Sequence, residues 1–174
     1  MKNNNWLYKV FLLTFILAIT FSAITSLLTN TFSNIVLLII LLVVIFIGIL
    51  FDMIGVAILT SNEATFHAMA AKKINGAKES IALIKNAVKV SSVCNDVIGD
   101  VCGIISGGLA AVLTLSLCDY FDFSNTITSM VVTSTVSSLT VGGKAVFKTI
   151  ATKKCDQITK IVGKTVHFFK INKK

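Results

Sequence analysis

The chain has 174 residues, 55% of them hydrophobic, with sixteen lysines, no arginine, no proline and a net charge of +8. A small water-soluble domain has no use for uncharged runs such as the sixteen residues Ile35–Leu50, so the composition is that of a membrane protein. The basic charge does not point to nucleic acid, because no guanidinium is present to fork onto phosphates or bases and the lysines flank apolar stretches.

Those lysines fall in three blocks: Lys2 and Lys9; Lys72, Lys73, Lys78, Lys85 and Lys89; and nine from Lys144 to Lys174. The gaps between blocks hold 62 and 54 residues without a lysine or arginine. Each gap is long enough for two crossings at ~20 residues per helix. An even number of crossings returns every lysine to one side, which is the positive-inside pattern. The expected fold is all-α: a polytopic membrane helix bundle of four transmembrane helices, an amphipathic helical hairpin and a C-terminal amphipathic helix. Residues 1–174 form a single membrane domain, both termini are cytoplasmic, and the place is the plasma membrane. Lysine in place of arginine, with many Asn and Ile, points to an AT-rich bacterial genome. The lysines are expected to meet anionic lipid headgroups, each worth roughly 1 kcal/mol near the surface.

Span one covers residues 10–29. Trp6, Tyr8, Lys2 and Lys9 form its aromatic and charged inner flank. A secretory signal would share the basic start and the small residues of 20–26, but an apolar run near 20 residues favours a retained helix. Span two covers 35–59 and carries one acid, Asp52, three residues before Gly55. Residues 61–92 are too polar to cross. They divide at Asn75-Gly76, a turn signal, and Ser61 or Asn62 can cap the first arm. In the second arm Ile81, Ile84 and Val88 share one face and Lys78, Lys85 and Lys89 another, so the hairpin is expected on the inner leaflet or beneath the bundle. Span three covers 93–117. An acidic link, with Asp119 and Asp122 and no base, leads to span four at 126–147. The basic tail, 148–174, places Ile158, Val162, Val166 and Phe169 on one face and Lys153, Lys160 and Lys164 on another. It too is expected along the membrane.

Span three carries the most chemistry. Asp96 and Asp100 are four apart and share a face, continued by Gly103 and Gly107, while Asn95 and Gly99 adjoin it. Glycines at that spacing let another helix approach closely. A carboxylate in hydrocarbon costs at least ~2.5 kcal/mol on insertion scales, so it faces a bundle interior or water. With Asp52 these acids are able to line an oxygen-rich site for a hard cation, Mg²⁺ being the natural candidate. The competing reading leaves them solvated at the inner interface or paired with lysines such as Lys89. In span four, Thr126, Ser129, Thr133, Ser137, Thr140 and Lys144 form a polar stripe. Such hydroxyls more often bond their own backbone or a neighbouring helix than a metal. Cys94, Cys102, Cys118 and Cys155 form no C-x-x-C pair and read as small apolar side chains. There is no G-x-S-x-G, P-loop or H-E-x-x-H, and no enzyme is expected.

The order of elements, with Leu83-Ile84-Lys85-Asn86 closing the hairpin, Cys94-Asn95 opening the next span and Gly143-Lys144-Ala145-Val146-Phe147-Lys148-Thr149-Ile150-Ala151 ending the last, resembles the membrane domain of the CNNM/CorB–CorC family of magnesium transport proteins. The resemblance covers about residues 35–165. It implies a homodimer, transport or binding of Mg²⁺ or another divalent cation, and a metal role for Asn95, which stands in the family's Gly-Asn motif. Three departures stand out. Lys144 occupies the position of the family's Glu, Phe147 that of its Pro, and the paired CBS regulatory module is missing. The expected metal ligands are therefore Asn95 with Asp52, Asp96 and Asp100. A non-transporting membrane scaffold or regulatory subunit of the same ancestry is the alternative, with Lys144 repelling the ion.

Overall fold

The computed structural model describes residues 4–121 and 125–171, and all regular structure among the described residues is helical. In chain order the helices are α1 (Asn4–Thr31), α2 (Asn34–Thr60), α3 (Glu63–Ala71), α4 (Ala77–Lys85), α5 (Ala87–Ser92), a π-helical turn (Val93–Ile98), α6 (Gly99–Phe121), α7 (Asn125–Lys153) and α8 (Cys155–Ile171). Three stretches are long and apolar enough to cross a membrane: Asn34–Thr60, Ala87–Asp119 and Asn125–Lys153. The shortest, of 27 residues, is about 40 Å long at 1.5 Å per residue, more than the ~30 Å hydrocarbon core. By length and composition these three candidate spans are those of a multi-pass membrane protein. The region of the first expected span is helical, 28 residues in α1, and holds a shorter apolar stretch at Ala18–Thr29.

Two boundaries differ from the expectation. The second arm of the hairpin stops at Lys85, where Asn86 turns its side-chain amide back onto the Ala82 carbonyl (3.0 Å). Residues from Ala87 onward belong to the rod that continues through the π turn into α6, and Val88 is exposed rather than set on an inner face. The last expected span also runs on, to Lys153, before the chain breaks at Lys154 and restarts as α8.

The chain divides into two compact units, each described by itself. The first comprises the described residues of Met1–Ile47 and Asp100–Thr140. Its interior is a ladder of Leu37, Leu41 and Ile45, spaced four apart on α2, with Leu109, Ala110 and Leu113 of α6. Thr25 of α1 is buried there too, and a Cβ on Gly108 would meet its Cγ2 at 3.0 Å. The hydroxyls buried in this unit turn back on their own helices, Thr25 to Phe21 O (2.9 Å) and Thr114 to Ala110 O (2.8 Å). The opposite face of α2 is bare hydrocarbon, with Ile35 74% and Ile39 56% exposed.

The second unit, Gly48–Gly99 with Val141–Lys174, holds the polar helices. Asn62 caps α3 by accepting from Ala64 N–H (3.0 Å), and Glu63 follows in the first turn. Gly76 starts α4 at φ 84°, a left-handed backbone that suits glycine. Helix α4 packs against both α3 and α8. Phe66, Ser80 and Thr159 are fully buried in this cluster. The Ser80 hydroxyl is shared between Gly76 O (3.0 Å) and Thr159 O (3.2 Å). The hydroxyls of Ser61 and Thr159 stand 2.7 Å apart, and Asn62 N–H donates to Asp156 Oδ1 (3.2 Å).

The hairpin, expected on the inner leaflet or beneath the bundle, and the tail, expected along the membrane, are thus packed on each other. The buried stripe of α8 is Thr159 and Gly163, not Ile158, Val162, Val166 and Phe169. Backbones as close as these admit only small side chains. A Cβ on Gly76 would lie 2.7 Å from Lys164 N, and one on Gly163 would strike Ser80 Oγ.

Candidate functional site

The π turn interrupts the third rod just where the sequence places its polar residues. A π turn adds a residue to the helical circuit and re-aims the side chains it carries. Here it presents Asn95 to α2. The side-chain Nδ2 donates to Ser91 Oγ (3.3 Å). The partner oxygen, Oδ1, is buried and has no hydrogen-bond partner among the described residues. It presses on Gly55, where a Cβ would lie 2.5 Å from Oδ1 and 3.2 Å from Cys94 Cβ. Leaving a buried acceptor unpaired costs about 1–3 kcal/mol, so this oxygen is a group that a donor or a cation would satisfy.

Two further residues come to the same seam. One turn before Gly55 is Asp52, half-buried on α2. One turn before Asp52 is Ile49, whose Cδ1 abuts Gly143 of α7 so closely that no Cβ fits there. Asp52 therefore lies on α2 between the contact with Asn95 and the contact with α7. The next residue of α7 is Lys144, half-buried, with its Nζ 3.7 Å from where a Cβ on Gly99 would stand. The Lys144 ammonium thus lies beside the end of the π turn. Among the described residues neither Asp52 nor Lys144 makes an ion pair.

Asp96 and Asp100 are exposed, as are Gly103 and Gly107, and a Cβ on either of those glycines would meet nothing within 4 Å. Among the described residues no three His, Cys, Asp or Glu side chains gather around a common point. Of the four expected ligands, then, Asp52 and Asn95 lie on the α2 seam, whereas Asp96 and Asp100 face outward. The hydroxyl stripe of α7 spends its bonds locally, Thr133 on Ser129 O (2.6 Å) and Thr140 on Val136 O (2.7 Å). None of the four cysteines forms a disulfide, and Cys94 and Cys118 are buried. Gly55 and Gly143 carry the seam, a packing role that the sequence does not assign to either. Their only signal is a glycine inside an otherwise apolar or hydroxyl-rich helix, where its helix-weakening cost calls for a packing reason.

Within the first unit an apolar groove of about 700 Å³ runs between the start of α2, the end of α6 and α7, lined by Leu38, Leu41, Leu113 and Val136 among others. Its lining holds no titratable residue and is mostly hydrocarbon, with Ser33, Asn34, Ser116 and Thr135 as the polar exceptions. In the second unit His167 Nδ1 lies 3.1 Å from Glu79 Oε1, a close approach rather than an aligned hydrogen bond. The imidazole, with Lys170 contributing less, holds the Glu79 carboxyl below its usual value against the upward push of burial. Comparison with known protein families, characterised proteins and solved structures finds no match.

Proposed function

We propose that the chain is a four-span protein of the bacterial plasma membrane, with both termini cytoplasmic, that binds or passes a divalent cation at the seam of Asp52 and Asn95. The observation that carries this reading is the Asn95 amide oxygen, buried without a partner one turn of α2 away from a carboxylate. Mg²⁺ suits so sparse a ligand set. It keeps several of its own waters and commonly takes only one or two carboxylates from the protein. The resemblance to the CNNM/CorB–CorC membrane domain supports the same ion and a homodimer. Exposed Asp100, Gly103 and Gly107 favour a partner helix, since small residues admit close approach and a carboxylate is costly against lipid.

One observation favours the second reading, a membrane scaffold or regulatory subunit that no longer transports. The Lys144 ammonium sits against Gly99 at the end of the same turn. A fixed ammonium near the seam disfavours a bound cation, and a divalent ion more than a monovalent one.

The test is the thermal stability of the purified chain with and without Mg²⁺. An ion at a hundred times its dissociation constant stabilises by about 2.7 kcal/mol. The transport reading expects the parent to gain stability, Asp52→Asn and Asn95→Ala to lose that gain, and Lys144→Glu to enlarge it. A loss in Asp96→Asn or Asp100→Asn would bring the outward carboxylates into the site. A silent parent with a responsive Lys144→Glu is the result expected of the scaffold reading. If neither responds, Mg²⁺ is not held at this seam.

A further inference from the structure

Helix α8 has three sectors, and the protein occupies one. Thr159 and Gly163 are buried against α4, and Asp156 and His167 continue that stripe to Asn62 and Glu79. Roughly opposite, at 3.6 residues per turn, stand Ile161, Phe168 and Phe169, exposed by 64%, 63% and 69%. The two rings meet edge to face, 6.2 Å between centroids. Lys160 and Lys164 lie between the two sectors, and Lys154 and Lys170 stand near the ends.

The helix cannot turn to hide this apolar face. Rotation would break the Ser80–Thr159 hydrogen bond and drive a bulky side chain into the space that Gly163 leaves beside the Gly76 carbonyl, where even a Cβ would come within 2.7 Å. A fixed helix with a bare aromatic face and a flanking lysine row has the composition of an interfacial anchor. Its position agrees. Helix α8 begins one residue after α7 ends, with Lys154 N bonded to Ile150 O and Ile158 N to Lys154 O across the joint. It therefore starts where a candidate span leaves the bilayer.

We infer that α8 docks on the anionic cytoplasmic surface of the membrane. Ile161, Phe168 and Phe169 enter the boundary between headgroups and acyl chains, while Lys160 and Lys164 meet lipid phosphates. Charge selects this occupant over a second copy of the chain. A copy would bring lysine row to lysine row at +8 against +8, whereas the phosphate surface has the opposite sign. Docking rests on the proposal that α7 spans the membrane and is independent of the ion site.

The test uses the full chain in vesicles, with Trp6→Phe removing the native indole. One tryptophan is then placed at Phe169→Trp, and a separate one at Leu139→Trp in the middle of α7. Quenching by acyl-brominated lipid reads insertion. In phosphatidylcholine containing phosphatidylglycerol, both reporters should be quenched. Phe169→Trp should lose most of its quenching without phosphatidylglycerol, or with Lys160→Gln and Lys164→Gln together, each lysine being worth roughly five-fold near an anionic surface. Leu139→Trp should respond to neither change. Quenching of Leu139→Trp alone overturns the docking while leaving the span intact. Failure of both overturns the span reading and the docking with it. Shielding of Phe169→Trp that follows protein density instead of lipid charge overturns it in favour of self-association.

Discussion

In the α3–α4–α8 cluster, glycines are the places where the chain is most tightly closed. A side chain on Gly76 would run into the α8 backbone, and one on Gly163 into Ser80. Along α6 and α7 the same residue type is mixed: Gly108 and Gly143 sit against Thr25 and Ile49, whereas Gly103, Gly107 and Gly142 face nothing within 4 Å. Hydroxyls divide as well. Ser61, Ser80 and Thr159 tie one helix to another, whereas Thr25, Thr114, Thr133 and Thr140 bond only their own helix. The polar cluster is complete in a single chain. The apolar rods instead keep broad faces bare among the described residues, Ile35, Ile127 and Val141 among them. The difference follows from solvent. Water rewards a helix for burying surface against its neighbours, whereas lipid tails are as apolar as the side chains they touch.

The largest expected break in the contrast is Phe66→Ala. The ring is fully buried, and its loss should cost about 3–5 kcal/mol in urea titrations of the cluster signal. Next comes Gly163→Ala, an overpacking change of about 1–3 kcal/mol. A double variant with Ser80→Gly should recover part of it, because Ser80 Oγ is the atom struck. The ion contact between Glu79 and His167 is smaller, at most about 1 kcal/mol for a partly exposed pair. Its sign with pH is set by the carboxyl. Because Glu79 is depressed on folding, its contribution is fully present above the ordinary value of 4.5 and fades as the pH falls through its lower folded value. Glu79→Gln should remove that part of the acid limb in a melting curve taken across pH. Smallest is Gly142→Ala, expected within about 0.5 kcal/mol of the parent because its added methyl meets open space. Gly103→Ala should be equally mild in the monomer. A marked change in its sedimentation would place a second copy on α6.

Much of the organisation was legible in the residues. The lysine-free gaps mark the apolar rods, Asn75-Gly76 marks the hairpin turn, and Asn62 caps α3 as its side chain and the following Glu63 suggest. The contact face of α8 was not legible, for a physical reason. Periodicity finds the apolar stripe Ile158, Val162, Val166 and Phe169, of which the first two are half-buried and the last two exposed. Close backbone packing instead selects Thr159 and Gly163, which hydropathy ranks low. The π turn was also hidden, since one extra residue in a helical circuit leaves composition unchanged. Of the candidate site, Asn95 and Asp52 were readable as polar residues in apolar surroundings. Their common reference point, Gly55, was not, because only the fold sets an amide against a glycine 40 positions earlier.

Sidedness is the claim on which the rest depends, and cysteine labelling reads it directly. Cys94, Cys102, Cys118 and Cys155 would first be replaced by serine or alanine, and single cysteines introduced as Asn75→Cys and Asp119→Cys. A membrane-impermeant maleimide applied to intact cells should label position 119 and spare position 75. Inverted vesicles should reverse the pattern. Labelling of position 75 from outside would contradict the arrangement of lysines on the cytoplasmic side, and with it the membrane docking of α8.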